Sequence, residues 1–304
     1  MSPLLAPLSP ELDDAHFSLL AHYAKHLGRA PKAKRFATNV GERRSRQKGH
    51  GMEMLELRAY QASDDLRHID WRVTARTGQA HTRLYAQEND HQRLLLLDLS
   101  PNAYFGTQHT FISTRLLQLA GLIAWRSIQQ GDALAYRIRY GEQEHQSQKT
   151  ELPRLLNSLR EASCLQHRTT TPPHQNSSIW VDNAFISRTH NKDVIILTDK
   201  QYWDSHEESA LLKLAKHNRV HWVQVIDNKA FQLPAGHYQM TDGTNVRRLS
   251  VSDASLKNAK EDFLTRNTQF KQALLSMDIQ HHPFDLSEPP ERIARYLLSQ
   301  GALR

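Results

Sequence analysis

Residues 93–106 read RLLLLDLSPNAYFG, and the reading of this stretch decides the fold. Leu94, Leu95, Leu96 and Leu97 run unbroken into Asp98, and Ser100 and Asn102 follow at alternate positions. A continuous apolar run bounded by turn residues is the pattern of a strand buried on both faces, as in a parallel sheet covered by helices. A carboxylate, a hydroxyl and an amide oxygen at the carboxyl end of such a strand lie where open α/β sheets place their ligand sites. The pattern recurs once: Val194, Ile195, Ile196 and Leu197 lead into Thr198 and Asp199.

Working outward, helical spacing is found over residues 11–27, 109–130, 151–164, 203–217, 253–277 and 289–299, with a short helix over 179–188. Strand patterns occupy 132–140, 220–226 and 279–284, with a short return strand over 146–150 and two β runs around Asp242 and Gly243 within 231–251. Strands alternating with helices predict an α/β fold: a doubly wound, mostly parallel sheet with helices on both faces. The expected organisation is an N-terminal helix (1–28), a basic linker (29–48), a β-hairpin extension (49–92) and the main α/β domain (93–304), which carries a β insertion at 231–251.

Composition narrows the function classes. At 304 residues the chain is long enough to bury a substantial core. The single cysteine, Cys164, excludes an internal disulfide and fits a reducing compartment. No window approaches eighteen apolar residues, and the amino terminus lacks a basic segment followed by an apolar one. These features lead us to expect a cytoplasmic protein with no membrane span. The net charge of +7 is accounted for by residues 29–48, where Arg29, Lys32, Lys34, Arg35, Arg43, Arg44, Arg46 and Lys48 face only Glu42. With Phe36 alone interleaved, this run reads as a solvated linker or a strip facing an acidic partner rather than a nucleic-acid site. His22 and His26 stand one helical turn apart without a third ligand and read as capping or exposed side chains. No Walker loop, G-x-G-x-x-G, G-x-S-x-G or H-E-x-x-H motif is present.

The Asp98-x-Ser100-x-Asn102 pattern resembles the first loop of a metal-ion-dependent adhesion site, the Mg2+ site of von Willebrand factor A domains. Asp199 then resembles the third-loop aspartate, and Thr171, within Thr169-Thr170-Thr171, the second-loop threonine. A denser resemblance lies in residues 49–93, GHGMEMLELRAYQASDDLRHIDWRVTARTGQAHTRLYAQENDHQR. These residues are similar to the signature of the bacterial domain-of-unknown-function family number 58. Gly49, Gly51, Glu53, Glu56, Arg58, Tyr60, Asp64, Asp65, Arg67, Ile69, Asp70, Trp71, Arg72, Thr74, Ala75 and Arg76 fall in register. Ser63 and Asn102 depart from the usual Gly and Ser.

The resemblance implies a von Willebrand factor A-like domain with Mg2+ held by Asp98, Ser100, Asn102, Thr171 and Asp199, and an open position for a partner's carboxylate. It also implies a non-catalytic interaction module whose partners are a MoxR-type AAA+ ATPase and other von Willebrand factor A-like proteins. The alternatives are a metal-dependent phosphodiesterase or nuclease, and a nucleic-acid binder using residues 29–48. Within the signature, Asp64, Asp65 and Asp70 interleave with Arg67, Arg72 and Arg76. They are expected to form an ion-pair network that braces a hairpin with Trp71 in the core, with Asp64, Asp70, Arg72 and Arg76 paired with one another or with backbone and at least half buried. The other reading is a polar surface anchored on Trp71 and shown to a partner.

Overall fold

A computed structural model of the chain describes residues 3–28, 54–61, 66–85, 92–141, 143–167, 185, 188–241 and 246–303. The basic run 29–48, Asp64, Asp65, Thr171, the Asp242-Gly243 turn and nearly all of the helix expected over 179–188 lie outside the described residues. The chain divides into two compact units, one formed by Met1–Ala33 with His91–Arg304 and the other by Lys34–Asp90.

Helix α1 (Asp14–Lys25) begins where Asp13 accepts a hydrogen bond from the His16 amide. It belongs to the larger unit rather than standing apart as an N-terminal element. The buried Arg115 guanidinium donates to the carbonyls of Leu4 and Leu5 at 3.1 and 3.0 Å, which ties down the segment before the helix. The His26 ring nitrogen stands 2.8 Å from the His22 carbonyl, a local contact at the end of the helix.

In the smaller unit, strands β1 (Met54–Ala59) and β2 (His81–Tyr85) pair antiparallel. The expected hairpin is interrupted: a 3-10 turn at Leu66–His68 and helix α2 (Trp71–Thr77) lie between the strands. Asp70 caps the first turn of that helix, and Gly78 ends it in the left-handed region at φ 75°. These are standard start and stop devices.

The larger unit continues with β3 (Gln92–Leu99), α3 (Ile112–Gln129), β4 (Ala133–Tyr140), β5 (Gln143–Ser147), α4 (Leu152–Ser163), β6 (Asp193–Thr198), α5 (Ser205–His217) and β7 (Arg219–Ile226). Then follow β8 (Gly236–Thr241), β9 (Val246–Val251), α6 (Asp253–Ser276), β10 (Gln280–Asp285) and α7 (Pro290–Ser299). Six strands form one sheet in the order β10-β7-β6-β3-β4-β5, parallel except for β5, which turns back at the edge. The return strand starts earlier than the expected 146–150, immediately after the turn at Gly141. Strands β8 and β9 form a separate antiparallel pair.

The tetraleucine shows why helices cover both faces. Leu95 and Leu97 join a core with α1, α3, α4 and α7, while Leu94 and Leu96 join another with α5 and α6. All four are fully buried, each contributing about 2 kcal/mol of transfer free energy. Arg93 begins the strand in a buried position because its guanidinium meets Asp132 at 2.8 Å and the Ser127 hydroxyl at 2.6 Å. On β7 and β10, His221 and His282 stack with ring nitrogens 3.1 Å apart. Burial, reinforced by Arg219, pushes His221 down to about 3 and His282 to about 4. Burial also takes His281 down to about 4. Among the described residues no helix is long and apolar enough to cross a membrane.

Candidate functional site

In this strand order the chain leaves β3 toward β4 on one side and returns through β6 on the other. That topological switch is where open α/β sheets form ligand crevices. Asp98 and Asp199 lie at the carboxyl ends of these two adjacent strands, as the buried-strand pattern predicts. The next two strands beyond β6 also end in aspartates, with Asp227 after β7 and Asp285 at the end of β10.

These four carboxylates have different occupations. Asp227 accepts from the Thr107 amide at 2.6 Å and from its hydroxyl, which holds down the loop after β3. Gly106 shapes the same loop, since a Cβ there would stand 2.1 Å from the Thr110 carbonyl oxygen. Asp285 is held by Ser287 and Asn228; burial would raise its pKa, but these hydrogen bonds win and lower it. Asp199 accepts from the Ser100 amide at 2.9 Å and from the Ser100 hydroxyl in a short hydrogen bond. Enclosure by protein pushes the Asp199 pKa up, and the Ser100 hydrogen bonds act against that rise.

Asp98 is 2% exposed and receives a bidentate arginine. Arg139 lies opposite it in register on β4 and donates from Nε to Oδ1 at 3.0 Å and from Nη2 to Oδ2 at 2.8 Å. Lys200, the residue after Asp199, brings its Nζ to 3.6 Å from Asp98 and 3.7 Å from Glu207. Glu207 is itself fixed in the first turn of α5, where it forms a capping box with Asp204.

Of the five residues expected to hold Mg2+, the fold brings Asp98, Ser100 and Asp199 together. The Asn102 side chain is exposed while its backbone N–H donates to the Ser100 hydroxyl at 3.1 Å, and Thr171 lies outside the described residues. As arranged, the described members Asp98, Ser100 and Asp199 offer no free set of donors to a divalent ion. Both Asp98 oxygens already take N–H groups, and the Ser100 hydroxyl proton points at Asp199. Among the described residues, no group of three or more His, Cys, Asp or Glu side chains is placed to hold a metal.

The smaller unit differs. Asp70 is buried and accepts from the amides of Arg72 and Val73 at 3.1 Å each and from Arg83 Nε at 2.9 Å. The Val73 amide is the main cause holding its pKa below the usual carboxylate range. Here the sequence expectation needs correction. Arg67, Arg72 and Arg76 are exposed, and Trp71 is 69% exposed, so Trp71 is not a core residue. It is the first helical residue after a capping aspartate, and Leu66 in the preceding turn is exposed as well. Asp70 before the segment and Gly78 after it were the signals that would have revealed the helix. Arg139 and Lys200 were missed for another reason, because pairing across strands is not written in either local segment.

A doubly wound α/β domain with an acidic carboxyl edge, joined in one chain to a small strand-helix-strand unit, defines the class. The chain belongs to the family described as protein of unknown function DUF58, whose profile matches residues 56–273. It is also similar to uncharacterized proteins of Mycobacterium bovis (Mb1516) and Mycobacterium tuberculosis (Rv1480), 42% identical to each over 59 residues. The match spans 19% of this chain and 19% of the length of each relative.

Proposed function

We propose that this protein is a cytoplasmic, non-catalytic interaction module of the von Willebrand factor A-like kind, serving as an adaptor or companion of a MoxR-type AAA+ ATPase. The observation that carries the reading is the exposed face of α2. Trp71, Arg72 and Arg76 on α2 and Leu66 and Arg67 in the turn before it are all exposed, while the buried carboxylate of Asp70 is spent on capping the helix and pairing with Arg83. Aromatic and arginine side chains are the usual anchors of protein interfaces. Such a face suits an acidic, partly apolar surface on the ATPase. The hydrolase alternative draws no support from Asp98, whose oxygens are engaged by Arg139.

The test is a titration of the purified chain against the MoxR-type ATPase of the same genome by biolayer interferometry. Trp71→Ala should weaken binding at least about tenfold, or about 1.4 kcal/mol, with an unchanged melting temperature. Equal affinity for wild type and Trp71→Ala, or no binding by the wild type, would sink the proposal.

A further inference from the structure

We propose that Arg139 and Lys200 act as built-in cations at the carboxyl edge, filling the role a divalent ion would have and keeping the Asp98–Ser100–Asp199 constellation assembled without metal. The inference is independent of the docking face on α2.

Three separate elements deliver these charges to one point. Arg139 comes from β4, placed by parallel register directly beside Asp98, so the guanidinium meets the carboxylate side-on with two hydrogen bonds. Bidentate arginine–carboxylate pairing is geometrically specific, and a lysine or a hydrated ion does not reproduce it. Lys200 comes from the loop after β6 and is steered by Glu207 on α5. The Asp98 side chain is 2% exposed and that of Arg139 14% exposed, so the pair is largely shielded from water. A buried carboxylate needs a partner to remain charged, and here the chain supplies it. The remaining neighbours are also committed: Ser100 gives its amide and hydroxyl protons to Asp199. The edge therefore holds together without a metal ion, and its assembly is insensitive to chelators.

The experiment follows the full-length chain by thermal melting in EDTA and with added Mn2+, and follows bound Mn2+ by electron paramagnetic resonance. The wild type should melt at the same temperature in both and retain no Mn2+. Arg139→Gln should lower the melting temperature by several degrees, and adding Asp98→Asn to it should recover part of the loss, because the second change removes the uncompensated charge. Mn2+ should raise the melting temperature of Arg139→Gln and not that of the wild type. If Arg139→Gln fails to fold, folding of the Arg139→Gln, Asp98→Asn double variant supports the same conclusion. A wild-type chain that binds one Mn2+ and loses it on Asp98→Asn would overturn the proposal. So would Arg139→Gln melting like the wild type.

Discussion

The carboxyl edge of the larger unit and the α2 helix of the smaller one are built from the same residue types to opposite ends. At the edge, Asp98 and Arg139 are turned against each other and closed off, and the charge of each exists to satisfy the other. At α2 the buried Asp70 secures the start of the helix, while Trp71, Arg72 and Arg76 on the helix are exposed. Burial decides the difference. A shielded charge is dominated by its desolvation and must be paired, whereas an exposed one costs little and remains available to a partner. Sequence density of charge is therefore a poor guide to which aspartates and arginines hold a protein together and which are displayed.

The contrast can be broken most forcefully at Asp98. Asp98→Ala leaves the mostly buried guanidinium of Arg139 next to Lys200 without its carboxylate. Removing one member of such a pair costs about 3–5 kcal/mol, to be read by urea denaturation. A loss below about 1 kcal/mol would mean that the edge charges are as dispensable as those on α2.

Acid should separate the two units next. His221, His281 and His282 have folded pKa values below their unfolded one, so the unfolded chain binds more protons and stability rises with pH. The stability they confer is intact near neutral pH and is lost as pH falls below about 6.5 toward 4. Asp70, with its lowered pKa, gives up its share only below the ordinary carboxylate range. Amide exchange should thus show the sheet of the larger unit loosening at pH 5 while α2 stays protected. Simultaneous loss of protection in both would remove the distinction.

The smallest expected effect is the most discriminating. Because Trp71 is 69% exposed, Trp71→Ala should change unfolding free energy by less than about 0.5 kcal/mol. A loss of several kcal/mol would return Trp71 to the core and with it the bracing role expected from the signature.

The tetraleucine, Asp98 at its end and the matching run before Asp199 determined by themselves that two buried strands carry acidic groups at one edge of a doubly wound sheet. That much is local: an unbroken apolar run has no face it can turn to water, and its first polar residues must mark where it emerges. The structure sets β6 between β3 and β7, all three parallel, as the mostly parallel sheet expected from the strand-helix alternation. The helical character of α2 was also local, in Asp70 and Gly78, but the alternating charges of the signature masked it. What only the tertiary structure decided was who meets whom. Arg139 reaches Asp98 through the β3–β4 register, Asp227 reaches Thr107 across the sheet edge, and Trp71 stays in solvent although its residue type is usually buried. Hydrogen bonding along a parallel sheet is made by backbone atoms that every residue carries, so local sequence does not specify which side chains become neighbours. That choice belongs to the packing of the whole core, which fixes the register and with it the partner of every charge at the edge.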